Sequence, residues 1–269
     1  MRLRLIPLWL VMAWLLPVSL AQSQPSRLAT IRSFVVYYGT NQAFAKQLSQ
    51  FDLAIVQPNT LSYPQLRKLQ AQGTRVVAYL SVGEAEGYMV GLPKAWVLGT
   101  NPNWGSKYMD ANQAGWREAV LQRAKDILEI GFDGLFLDTV DTVDLFPKTK
   151  PGMVQLIRAL RQSFPKAILV QNRGFAVLPQ TAPFLDAVMF EDFSTLYNFN
   201  DGTYQAHEGD PRPLFPYLKR GLKVLALDYA LPTQTALIQR AYSRARRYGF
   251  VPYVTTISLN EVSPAPGSR

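Results

Sequence analysis

The 269-residue sequence predicts an α/β protein, a single (β/α)8 TIM barrel. Eight short, β-branched apolar runs recur along the chain, and stretches with apolar residues at helical spacing lie between them. Strand alternating with helix builds a parallel sheet. Eight such units in about 250 residues is the usual size of this barrel. An open doubly wound sheet binding a dinucleotide would carry a Gly-rich fingerprint after its first strand, where this chain has "YYGTNQAF".

The chain opens with "MRLRLIPLWLVMAWLLPVSLAQSQ", in which Arg2 and Arg4 precede an apolar run from Leu5 to Leu16 that Pro17 stops, with Ser19 and Ala21 as small residues around a cleavage point. The run is shorter than the ~20 residues a bilayer span needs. Residues 1–21 therefore read as a secretory signal peptide, which predicts a secreted or periplasmic protein with no stable membrane insertion after cleavage. Residues 22–32 read as a linker, 33–260 as the barrel and 261–269 as a flexible tail.

The predicted strands are "SFVVYYG" (Ser33 to Gly39), "DLAIVQP" (Asp52 to Pro58), "RVVAYLSVGE" (Arg75 to Glu84), "GLFLDTVD" (Gly134 to Asp141), "AILVQN" (Ala167 to Asn172), "AVMFEDF" (Ala187 to Phe193), "KVLALDYA" (Lys223 to Ala230) and "VPYVTTIS" (Val251 to Ser258). Helices are expected at "YPQLRKLQAQG" (Tyr63 to Gly73), whose Gly73 suits a C-terminal cap, at "WREAVLQRAKDILEIG" (Trp116 to Gly131), and at "GMVQLIRALRQSFP" (Gly152 to Pro165). "IQRAYSRARRYG" (Ile238 to Gly249) reads as an outer helix with a solvated basic face.

Composition narrows the class of protein. There are no cysteines, so the core must stand without disulfides. The formal charge of +9 is not arranged as a basic stripe interleaved with aromatics, and no nucleic-acid recognition motif is present. No nucleic-acid partner is expected, and the chain is expected to be a monomer.

In this barrel the active site is assembled at the C-terminal ends of the strands. Those ends carry Tyr38, Gln57, Glu84 with Glu86, Asp138 with Asp141, Asn172 with Arg173, Glu191 with Asp192, and Asp228 with Tyr229. An acidic mouth on a basic protein would attract cationic or polyhydroxylated ligands. Asp138 after "GLFL" and Glu191 after "AVMF" stand where two strands leave the core, and two carboxylates on separate strands are what glycosidic cleavage requires. Their separation, which decides between retention and inversion, is not readable from sequence. Asp133, Asp144 and Asp186 read instead as turn, cap or ion-pair residues. His207 lies alone in "YQAHEGDPRP" and reads as a surface residue, leaving no zinc set. No cofactor or metal is expected. Magnesium on Asp138, Asp141 and Glu191, as in a metal-dependent phosphodiesterase or lyase, is the competing chemistry, and a carbohydrate-binding barrel without turnover is the non-enzymatic alternative. Tyr37, Tyr38, Tyr79, Tyr88, Trp96, Trp104 and Tyr108 crowd the first half, several in a long connection after Glu84. Such rings serve either as sugar platforms or as local packing.

"YLSVGEAEGY" (Tyr79 to Tyr88), "WGSKYMDANQAGW" (Trp104 to Trp116) and "GFDGLFLDTVD" (Gly131 to Asp141), in that order, resemble glycoside hydrolase family 114, the endo-α-1,4-polygalactosaminidases. The resemblance spans roughly residues 33–258. It implies a TIM barrel that cleaves galactosamine-containing polysaccharide, such as a biofilm exopolysaccharide, with Asp138 and Glu191 as the catalytic carboxylates, Asp138 the nucleophile and Glu191 the acid/base. The remaining strand-end positions Tyr38, Gln57, Glu84, Asp141, Asn172, Asp192, Asp228 and Tyr229 are the expected substrate-binding residues. The sequence departs from the family pattern at Met89, where Arg is common, and at Thr139, where Asn is common.

Overall fold

The computed structural model describes residues 27–87, 89 and 91–264. The expected signal peptide, Tyr88 and residues 265–269 lie outside the described residues. All eight predicted strands form, shorter than expected by one to three residues: β1 (Phe34–Tyr37), β2 (Leu53–Val56), β3 (Arg75–Ser81), β4 (Gly134–Asp138), β5 (Ile168–Asn172), β6 (Ala187–Glu191), β7 (Lys223–Tyr229) and β8 (Val251–Thr255). They pair in sequence order, each parallel to the next. The nearly closed barrel is drawn together where Tyr253 of β8 packs on Phe34 of β1 with ring centroids 5.6 Å apart and, past the strands, the Tyr38 amide donates to the Leu259 carbonyl at 2.6 Å.

The helices form because their apolar residues recur on one face. In α1 (Tyr63–Ala71) Leu66 and Leu69 are buried; in α2 (Ala114–Ile130) the set is Trp116, Val120, Ala124 and Ile127. In α3 (Lys150–Ser163) it is Met153, Leu156, Ile157 and Leu160. Asn41 caps a short helix after β1, and a Ser62/Gln65 capping box starts α1. Gly73, with φ +94°, sits past the end of α1 as expected. In α4 (Thr235–Arg247) the basic face is only partly solvated. Arg244 lies 3.9 Å above the Phe193 ring and donates to the carbonyls of Phe193 and Gly209, while Arg240 pairs with Glu208. These arginines fasten the loop after β6, since a guanidinium satisfies several carbonyls from one planar fork.

The packed body reaches into the expected linker and tail: Leu28 and Ile31 before β1 and Val262 after β8 are buried. Asp186 ties the N-terminal segment down, pairing with Arg27 and Arg161 and accepting from the Leu169 amide. Asp133 accepts from the Val76 amide at 2.8 Å and so joins the starts of β3 and β4. No helix among the described residues is long and apolar enough to cross a membrane.

Two antiparallel additions stand on the C-terminal face. The long connection after β3 folds into three strands, Glu84–Ala85, Val97–Thr100 and Lys107–Met109, with the last in the middle. The connection after β6 forms a hairpin, Thr195–Asn198 with Thr203–Ala206. We call these the first and second arms.

Candidate active site

Strand side chains alternate between the two faces of a sheet. Tyr79 and Ser81 on β3, Phe136 and Asp138 on β4, and Leu227 and Tyr229 on β7 consequently face a cavity of about 800 Å³ at the C-terminal end of the barrel. Nine of the ten expected site residues line it: Tyr38, Gln57, Glu84, Asp138, Asp141, Asn172, Glu191, Asp192 and Tyr229. Asp228 does not. It falls between Leu227 and Tyr229 in the alternation, so it points away from the cavity and is 1% exposed. One of its oxygens accepts from the amides of Ser194 and Thr195, which lead into the second arm. The expected substrate contact is therefore corrected to a buried anchor. Burial pushes its pKa up to about 6 against the lowering effect of those amides.

The centre of the cavity is a bridge between two acids. Asn172 uses a single side-chain nitrogen to donate to Asp138 Oδ1 and to Glu191 Oε2, each at 2.7 Å. Tyr229 donates its hydroxyl to Glu191 Oε1 at 2.5 Å, and Tyr79 bonds to Asp138. Burial, then the neighbouring Glu191 charge, pushes the Asp138 pKa up to about 7, although the Asn172 hydrogen bond opposes this. Burial and the neighbouring acids raise the hydroxyls of Tyr38, Tyr79 and Tyr229, which stay protonated, and Tyr79 and Tyr229 act as donors to the pair.

Around the pair, Arg173 reaches Asp141 at 3.3 Å and Asp192 at 3.6 Å. Burial raises the pKa of both acids, Asp192 to about 8, with the Arg173 charge opposing. Asp144 stands in the first turn of the short Thr142–Leu145 helix, on the rim. Among the described residues the cavity walls hold seven acids, Glu84, Glu86, Asp138, Asp141, Asp144, Glu191 and Asp192, against one base, Arg173. The acidic mouth on a basic chain is thus real, and its field favours cations. His207 lies half-buried in the loop after the second arm and does not line the cavity. Among the described residues no three His, Cys, Asp or Glu side chains are grouped so as to hold a metal.

A repeated backbone feature sets this geometry. Thr139, Arg173 and Asp192, each directly after Asp138, Asn172 or Glu191, adopt left-handed φ of 62°, 49° and 59°. Such backbone is uncommon for residues other than glycine and most costly for β-branched ones. Thr139 is held there by its hydroxyl, which accepts from the Gly83 amide at 2.8 Å and contacts Ser81 Oγ at 3.0 Å. Gly83 is obligatory at this approach, because a Cβ there would lie 2.2 Å from the Thr139 carbonyl oxygen.

Also lining the cavity are Tyr79, read from sequence only as one of several rings for sugar stacking or packing, and Tyr197 and Phe199, which were not expected there. Tyr79 carried a usable signal, a hydroxyl at an inward position of a barrel strand. Tyr197 and Phe199 belong to "TLYNFNDGTYQA", whose Asp-Gly pair inside alternating residues marks a hairpin.

A (β/α)8 barrel with a pair of bridged carboxylates at the mouth is the architecture of a glycosidase, and that is the class to which this protein belongs. The glycoside hydrolase domain of PelA from Pseudomonas aeruginosa superposes with a TM-score of 0.77 at 29% identity, covering 86% of this chain and 97% of that one. Ega3 of Aspergillus fumigatus, solved in complex with galactosamine, shares the fold with a TM-score of 0.70 at 15% identity, over 90% of this chain and 96% of that one. A protein of Deinococcus radiodurans is 28% identical over 91% of this chain and 88% of its own length. The profile of glycoside-hydrolase family GH114 matches residues 21–268, and the chain belongs to that family.

Proposed function

We propose that this glycoside hydrolase is an exported enzyme that cleaves α-1,4-linked, galactosamine-containing polysaccharide within the chain, with net retention, using Asp138 and Glu191. The observation that carries the mechanism is the Asn172 bridge. Because both 2.7 Å bonds start from one nitrogen, the two accepting oxygens lie at most about 5.4 Å apart, short of the ~6.5–9.5 Å that inverting enzymes need for an intervening water, and this favours the closer pairing of retaining enzymes.

In the first step Asp138 attacks the anomeric carbon while Glu191 gives its proton to the departing glycosidic oxygen, leaving the sugar as an ester of Asp138. In the second, Glu191 takes a proton from water, the water oxygen displaces Asp138, and the second inversion restores the original configuration. The assignment of Asp138 as nucleophile and Glu191 as acid/base follows the family resemblance. With its pKa pushed up to about 7, Asp138 becomes available as an ionised nucleophile as the pH rises toward that value. Tyr79 and Tyr229 orient the two carboxylates from either side.

The seven cavity acids support a cationic polymer, such as a partly deacetylated galactosamine chain, as substrate. Export is supported by the charged, apolar and small-residue pattern of residues 1–21, and a biofilm exopolysaccharide is a substrate of the right chemistry in that compartment. Reducing ends released from an α-1,4-galactosamine polymer test the pair: Asp138→Ala and Glu191→Gln should each lower turnover by roughly a hundredfold or more. Turnover equal to wild type in either variant would remove that residue from the mechanism.

A further inference from the structure

Large exposed apolar side chains are a cost on a monomer unless they meet something. Three of them, Trp104 at 63% exposure, Phe199 at 45% and Leu145 at 62%, line the rim of the catalytic cavity. Trp104 and Phe199 come from different arms and meet edge to face, with centroids 5.5 Å apart. The first arm leaves β3 and the second leaves β6, so the pair joins loops on either side of the two strands that carry Asp138 and Asn172.

Neither ring is presented by a slack loop. The first arm turns through Asn101–Ser106: the Ser106 carbonyl accepts from the Asn101 amide at 2.9 Å and the Asn101 carbonyl from the Gly105 amide at 2.8 Å. Glu84, 6% exposed, fixes this turn from below by accepting from Asn101 Nδ2 at 3.1 Å and from the Ser106 hydroxyl. The second arm turns through Asn198–Thr203, where Asp201 accepts from the Thr203 amide at 3.0 Å and the Asn198 carbonyl from the Gly202 amide at 2.8 Å. Its base is fixed by the buried carboxylate of Asp228, and Tyr197 backs Phe199 at 5.1 Å. Each arm thus has a buried acid at its foot, a closed hydrogen-bonded turn at its tip, and an apolar ring held open to solvent. Fixing a ring in place before a ligand arrives lowers the entropy lost on binding.

We infer that Trp104 and Phe199 form a sugar-stacking site for a ring of the polymer outside the two units joined by the bond that is cut. The chemistry is that of a pyranose. Its C–H face is apolar and flat enough to lie on an aromatic ring, while its hydroxyl and amino groups remain free for the neighbouring acids and amides. The inference rests on the polysaccharide reading above and extends it from the bond that breaks to the grip on the rest of the chain.

The test is binding of a partly deacetylated α-1,4-galactosamine polymer, followed by affinity gel electrophoresis in a Glu191→Gln parent so that the polymer is not consumed. Trp104→Ala and Phe199→Ala, made in that parent, should each weaken polymer binding, Trp104→Ala by roughly tenfold, the scale of one aromatic contact. Trp104→Tyr, which keeps a ring, should restore most of the loss. Circular dichroism establishes that each variant is folded. Polymer binding as tight as the parent's in both alanine variants overturns the site while leaving the substrate assignment intact. A folded parent that does not bind the polymer, with a wild type that does not cut it, overturns both.

Discussion

Asn172 was expected to touch substrate; in the structure it donates both hydrogens of one nitrogen to two acids, and each of those acids receives a second donor from a tyrosine. Its hydrogen bond lowers the Asp138 pKa against burial and the Glu191 charge. Removing it therefore moves the Asp138 ionisation upward, and activity that requires an ionised Asp138 nucleophile begins only at higher pH. For Asn172→Ala we predict that the acidic limb of kcat/KM, set by ionisation of the Asp138 nucleophile, shifts upward while kcat falls by roughly tenfold or more, since the carboxylates lose their common reference point. A fall in kcat with an unmoved limb would mean that Asn172 only supports the fold. Asp138, Asn172 and Glu191 were legible as candidates because each ends an apolar run of barrel type. Their bridging was not, because it depends on a side-chain rotamer and on strand register. The Asp228 error was avoidable: counting the alternation back from Tyr229 sets it on the outer face.

At the scale of elements, the active site depends on how three neighbouring strands stop. β4, β5 and β6 each end in a site residue followed by a left-handed residue that is not glycine, and local strain of this kind persists only where the surroundings over-determine it. For Thr139 the surroundings are the end of β3, through Gly83 and Ser81. Gly83→Ala would force a methyl against the Thr139 carbonyl. We predict a loss of about 1–3 kcal/mol in denaturant unfolding, the usual cost of overpacking, together with a kcat reduction larger than that of alanine substitutions elsewhere on the rim. Unchanged stability would show that the close approach is not needed. The strands and main helices were readable from period and length. The two arms were not, because short antiparallel additions inside long connections have little apolar periodicity of their own and take shape from contact with the barrel. The Asp-Gly turn of the second arm was the exception.

For the molecule as a whole, a rigid barrel holds a bridged acid pair at its mouth and two aromatic-tipped arms rise beside it. The surrounding chain is basic and the cavity is acidic, so the electrostatic character of the site is opposite to that of the protein. The fold class was legible because eight strand signals in one chain of this length admit few arrangements. The central claim is that Asp138 and Glu191 stand close enough for a double displacement on a galactosamine polymer. Proton NMR of the reducing ends formed in the first minutes of digestion of an α-1,4-galactosamine polymer tests it directly. A double displacement releases the α-anomer first, with the β-anomer following only by mutarotation, whereas β-anomer formed first, or no new anomeric signal, would contradict it.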